Sequence, residues 1–142
     1  SYGPEMRGGT ANCTVAIADE EIGSPMVRNP QAVIAMNRPS LDKYELLMRP
    51  GGLLVVNASM VDRKVKRTDL RVVEVPANEI AESLGDKRMT NMVLLGSLIA
   101  NLAIIQLTSI ETALKEHLPE RHHRLLPQNY QALAKGAELL AA

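Results

Sequence analysis

Residues 31–57 read QAVIAMNRPSLDKYELLMRPGGLLVVN, and the fold is decided here. Residues 31–36 are a short, mostly apolar run that predicts a strand. Asn37-Arg38-Pro39-Ser40 follows, where Ser40 can cap a helix over residues 41–48, with Leu41, Tyr44, Glu45 and Met48 at helical spacing. Pro50-Gly51-Gly52 stops that helix. Residues 53–56 (LLVV), running into Asn57, show no polar alternation, the mark of a strand covered on both faces. Strand, helix and strand in this order make a βαβ unit, which pairs its strands in parallel with a right-handed crossover.

On the C-terminal side, residues 69–75 (DLRVVEV) alternate apolar and charged side chains and predict a further strand nearer an edge, ended by Pro76. The pattern then turns helical. A short helix over 77–84 closes at Gly85, and an almost continuously apolar helix spans 89–107. An amphipathic helix over 108–118 is broken by Pro119, and Pro127 starts a last helix through 142. On the N-terminal side, residues 13–18 (CTVAIA) predict a buried strand, and Pro25 and Pro30 make 22–30 an irregular connection. The expected architecture is a single three-layer α/β/α domain over residues 1–142, with a mostly parallel or mixed sheet and a helix-rich C-terminal half.

Composition narrows the function. Sixteen Lys and Arg balance sixteen Asp and Glu, so the formal net charge is zero, whereas a domain that grips nucleic-acid backbones is normally basic. Phe and Trp are absent and Tyr occurs three times, which removes the stacking platforms that single strands need. The one cysteine, Cys13, has no partner within the chain, and the sequence opens with no secretory pattern, so a cytoplasmic location is expected.

The long apolar helix raises a membrane question. Gly96, Ser97, Asn101 and Gln106 interrupt it and no Trp or Tyr belt flanks it, so a buried central helix is the better reading. Gly96, Ala100 and Ala103 form a stripe of small residues that lets a partner approach. A helix apolar all round needs cover on every side, and a subunit contact, including a homodimer in isolation, is expected to supply part of it.

Few residues carry chemistry. Asn37 and Asn57 each follow the carboxyl end of a strand, where open α/β sheets bind ligands; both are also good turn residues. Arg63-Lys64-Val65-Lys66-Arg67 concentrates positive charge before a strand and suits either a phosphate-bearing ligand or a solvated loop. His122 and His123 are adjacent and lack the i, i+4 spacing of helical zinc sites. Cys13 reads as a small buried hydrophobe. Residues 1–9 (SYGPEMRGG) form a special loop in which Gly8 and Gly9 allow close approach and Arg7 can hold an anion, yet the spacing matches no phosphate loop.

The string SYGPEMRGGTANC at 1–13 resembles the gamma subunit, or gamma domain, of the 2-oxoacid:ferredoxin oxidoreductases. The likeness continues through Ile22-Gly23-Ser24-Pro25, through Met36-Asn37-Arg38-Pro39-Ser40-Leu41, through Pro50-Gly51-Gly52 and the strand ending at Asn57, and through Val75-Pro76-Ala77 to Asn91-Met92-Val93. The 2-oxoglutarate or branched-chain oxoacid type is the nearest flavour. The resemblance implies a subunit of a complex that oxidatively decarboxylates a 2-oxoacid with coenzyme A, giving acyl-CoA, CO2 and reduced ferredoxin. Thiamine diphosphate, Mg and iron–sulfur clusters would then sit in partner alpha, beta and ferredoxin-like delta subunits, none bound by this chain alone. It further implies that Arg7, Gly8, Gly9, Asn37 and Asn57 line a ligand crevice, and that Tyr2, Gly3, Pro4 and Glu5 meet partner subunits. No catalytic residue is implied. Such domains begin with a Gly-rich strand-to-helix segment, which is expected to lie upstream of Ser1.

Overall fold

The structure, a computed structural model, describes residues 11–24 and 26–142. Three strands, β1 (Ala32–Ala35), β2 (Leu53–Asn57) and β3 (Arg71–Val75), form a parallel sheet in the order β1-β2-β3. Ala32 lies opposite Leu53 and Asn57 opposite Val75. The central strand is buried along its whole length, as its unbroken apolar sequence requires.

Alternation along the strands splits the core in two. Leu53, Val55, Val73 and Val75 face one layer, formed with α2 (Ala77–Ser83), α3 (Thr90–Leu102) and α5 (Leu126–Ala137). Leu54, Val56 and Ala35 face the other, closed by Leu41 of α1 (Arg38–Tyr44) and by Met48. The expected three-layer domain and its helix-rich second half are thus present. Helix α1 begins and ends earlier than the expected 41–48, stopping at Tyr44: Asn37 is the cap, its Oδ1 accepting a hydrogen bond from the Ser40 amide at 3.0 Å, with Pro39 in the first turn. Gly85, at φ +90°, closes α2 in a backbone region that other residues avoid.

Two expectations are corrected. Residues 13–18 form no strand; Val15 and Ile17 are 73% and 63% exposed, and Cys13 is exposed rather than buried. An apolar run becomes a strand only when a neighbour takes its backbone hydrogen bonds, and the paired strands here are β1 with β2 and β2 with β3. The apolar helix predicted over 89–107 also stops short, at Leu102. Ala103 turns left-handed (φ 55°), and α4 (Leu107–His117) starts separately.

The cover for α3 comes from this chain. Helix α5 lies against it so closely that a Cβ on Gly96 would stand 2.0 Å from the Leu133 carbonyl oxygen, and one on Gly136 would stand 1.8 Å from that of Val93. The small-residue contact therefore joins two helices of one domain, and the expected subunit contact is not what shelters this face. Asn101 ties down the chain end: its Nδ2 donates to the carbonyls of Ser97 (2.7 Å) and Leu139 (2.9 Å), and its Oδ1 accepts from the Ala141 amide (2.7 Å). Among the described residues no helix is long and apolar enough to cross a membrane.

Candidate functional site at the carboxyl edge of the sheet

The three parallel strands end side by side, at Met36-Asn37, at Asn57 and at Val75-Pro76. Asn57 is 1% exposed and stitches these ends together. Its Nδ2 donates to the Met36 carbonyl (3.2 Å) and to Asn78 Oδ1 at the start of α2 (3.1 Å), and its Oδ1 accepts from the Ser59 amide (3.3 Å). The Ala58 amide donates to the Val75 carbonyl at 2.8 Å. Ser59 Oγ accepts from the Asn78 amide (3.1 Å) and donates in a short bond to Glu79.

The edge is thus a continuous polar network of Asn57, Asn78, Ser59 and Glu79. The Ser59 hydroxyl, helped by a backbone amide, holds the exposed Glu79 carboxyl below the usual carboxylate range, so this rim carries a negative charge at neutral pH. Arg38, the nearest cation in sequence, donates through Nη1 to Asp62 at 3.0 and 3.1 Å. The site offers amide donors and acceptors held by secondary structure. Such a set can orient a ligand, and its chemistry contains no nucleophile paired with a base.

Of the residues singled out from sequence, the structure brings Asn37 and Asn57 to this one edge. Their side chains first serve the fold: Asn37 caps α1 and Asn57 bridges the strands. Arg7, Gly8 and Gly9, with Tyr2, Gly3, Pro4 and Glu5, lie outside the described residues. Sequence reasoning missed Asn78, Ser59 and Glu79. The signal available was topological, because the start of the helix after β3 must reach the same edge as the end of β2.

The basic run is used structurally. Arg63 donates through Nη2 to Glu45 Oε2 (2.8 Å) and through Nε to Asp42 (2.7 Å). Arg67 donates to Asp69 and to the Glu45 and Met48 carbonyls, and Lys64 pairs with Glu74 at 3.0 Å. The buried Glu45 carboxylate collects the Arg63 guanidinium and the Lys66 and Arg67 amides. Burial pushes its pKa up, but those hydrogen bonds together outweigh burial and hold it below the ordinary value. The run is a clamp on α1, and the phosphate-bearing alternative loses its two arginines. His123 meets the Leu118 carbonyl at 2.7 Å, and among the described residues no three His, Cys, Asp or Glu side chains converge on a metal position.

Comparison with known proteins places these features. The family described as pyruvate ferredoxin/flavodoxin oxidoreductase matches residues 1–139. The 2-oxoglutarate synthase subunit KorC of Methanothermobacter marburgensis is 32% identical over 146 residues, covering 99% of this chain and 77% of that protein. The ketoisovalerate oxidoreductase subunit VorA of Methanothermobacter thermautotrophicus is 34% identical over 97% of this chain, but the chain spans only 28% of its length. In the VorA of Methanothermobacter marburgensis it spans 21%. Among solved structures, the gamma subunit of a keto/oxoacid ferredoxin oxidoreductase from Geobacter sulfurreducens superposes with a TM-score of 0.73 at 21% identity, over 85% of this chain and 65% of that one. A 2-oxoglutarate:ferredoxin oxidoreductase from Magnetococcus marinus, with 2-oxoglutarate, coenzyme A and succinyl-CoA bound, superposes with a TM-score of 0.64 at 20% identity, over 76% of this chain and 20% of that one. By its family match along almost the whole length and its likeness to KorC, this chain belongs to the pyruvate ferredoxin/flavodoxin oxidoreductase family.

Proposed function

We propose that this chain is the gamma component of a cytoplasmic 2-oxoacid:ferredoxin oxidoreductase, with 2-oxoglutarate as substrate. The complex would convert the 2-oxoacid and coenzyme A to acyl-CoA and CO2, passing the released electrons to ferredoxin. The observation that carries this reading is the match to KorC over 99% of the chain and 77% of that relative. Thiamine diphosphate with Mg and iron–sulfur clusters, held by the alpha, beta and delta partners, supply the decarboxylation and electron transfer. One cysteine in the whole sequence cannot provide the several thiolates of a cluster.

The part left to this chain is positioning. Asn37 and Asn57, with Asn78, Ser59 and Glu79, form a rigid wall at the carboxyl edge of the sheet. Its anionic rim suits the amide and hydroxyl groups of a CoA-like ligand better than its phosphates. Arg7, Gly8 and Gly9 complete the crevice, and residues 2–5 fix the join to the partner chains. The alternative is a free-standing nucleotide- or CoA-binding module, which needed the basic run that is spent on Glu45, Asp42 and Asp69.

Titrating CoA into this chain, alone and within the assembled complex, tests the reading. Binding in the complex with weak or no binding alone is expected. Tight binding to the isolated chain would favour the free-standing module. Arg7→Ala should lower complex activity or assembly while leaving the melting of the isolated chain unchanged; unaltered activity and assembly would remove Arg7 from the site.

A further inference from the structure

At the opposite, amino end of the sheet lies a cleft of about 400 Å³ lined by Ser24, Met26, Val27, Arg28, Asn29 and Arg49. Its walls are fixed. The Asn29 Nδ2 donates to the Leu47 carbonyl at 2.8 Å, and the Arg49 amide donates to the Pro30 carbonyl at 3.0 Å, so the segment entering β1 is stitched to the turn leaving α1.

Two features coincide at this cleft. Arg38, Arg63, Arg67 and Arg88 are all engaged with carboxylates, yet among the described residues neither the Arg28 nor the Arg49 guanidinium has a hydrogen-bond or ion-pair partner. Large apolar side chains of the cleft and of the turn bonded to it are exposed: Met26 and Val27 in the lining, at 76% and 39%, and Leu46 and Leu47 on the adjoining turn, at 76% and 39%. Arginine and methionine are enriched at protein interfaces, and an exposed apolar group flanked by unpaired cations calls for an apolar surface that carries carboxylates.

We infer that the Arg28/Arg49 cleft, with Met26, Val27, Leu46 and Leu47, is a docking surface for an acidic segment of a partner polypeptide in the oxidoreductase complex. Arg28 and Arg49 would each take an Asp or Glu carboxylate of that segment, and the aliphatic side chains between those carboxylates would cover Met26 and Leu46. The inference rests on the subunit reading above and assigns a contact at the end of the sheet opposite the carboxyl edge.

The test uses the full chain co-expressed with the other subunits of its complex. Amide hydrogen exchange should slow at least about tenfold over residues 26–29 and 46–49 on assembly. Arg28→Glu with Arg49→Glu should weaken assembly by roughly a hundredfold, as like charges meet, and Arg28→Lys with Arg49→Lys should keep most of it. Both side chains are unpaired among the described residues, so the reversed variant should melt as the wild type does. If it does not, the wild-type exchange pattern decides alone. Assembly of the wild type with these amides unprotected, or normal assembly of the reversed variant, would overturn the docking surface and leave the subunit reading standing. No assembly of the wild type with any partner would overturn both.

Discussion

The contact between α3 and α5 can be tested with a single methyl group. Replacing Gly96 by Ala brings two opposed effects. Alanine favours a helix interior by about 1 kcal/mol over glycine, so an exposed glycine here would stabilise on substitution. The new Cβ, however, would stand 2.0 Å from the Leu133 carbonyl oxygen and within 2.9 Å of two more backbone atoms, where ordinary contact begins at 3.4 Å. Backbone cannot rotate away as a flexible side chain can, so the helices must part by more than an ångström. The fully buried Val93, Leu94, Ala132 and Leu133 lose contacts in that gap, and a gap of 0.5–1 Å already forfeits roughly a quarter to a half of the dispersion well. Overpacking costs about 1–3 kcal/mol, and a clash with backbone falls at the upper end, so after the gain in helix propensity a net loss of about 2 kcal/mol is expected. In a urea melt of the full chain this appears as a lower midpoint with unchanged slope, and in a thermal melt as a fall of roughly 5–10 °C. Gly136→Ala should behave alike, and the double variant should cost less than the sum because both open the same gap. A midpoint that rises with the helix propensity would show that α5 does not lie where it is placed, and the question of what covers α3 would reopen.

Other expectations follow from single residues. Asn57→Leu strands the Met36 carbonyl, the Asn78 Oδ1 and the Ser59 amide, so stability should drop by about 2–3 kcal/mol. Complex activity should fall more than that loss explains when assayed well below the melting temperature. Glu45 has a pKa below its unfolded value, so its contribution is present above about pH 4.3 and is lost as pH falls through the folded value. Glu45→Gln should therefore flatten the acid limb of a stability–pH curve below that point; an unchanged limb would remove Glu45 as its source. Asn101→Ala should free residues 139–142, seen as faster exchange at Ala141 with little change in the sheet.

The βαβ unit was legible because 31–57 carries its own punctuation: two apolar runs, a capping residue, and Pro-Gly-Gly. Position 37 rather than 40 caps the helix, a difference of three residues that only backbone geometry resolves, since Asn and Ser are about equally good caps. Residues 13–18 read as a strand because apolar composition records a propensity, while strand formation depends on a neighbour that composition does not name. The long helix was overextended since Ala103, which ends it in a left-handed turn, carries no sequence mark of a stop. Glu45 sat in plain view at helical spacing with Leu41 and Met48, although α1 itself ends at Tyr44. A carboxylate on a core-facing stripe needs cations, and the run at 63–67 held them; linking the two required the fold. At the site, Asn37 and Asn57 were found by strand ends. Asn78, Ser59 and Glu79 were not, because their arrival depends on the parallel placement of β3 beside β2.

The most direct measurement is turnover of the reconstituted complex with and without this chain, following ferredoxin reduction driven by 2-oxoglutarate and CoA. Turnover that requires both this chain and its partners, with none from the chain alone, is the predicted result. A full rate in its absence, or a substrate converted by this chain unaided, would contradict the assignment of a positioning subunit.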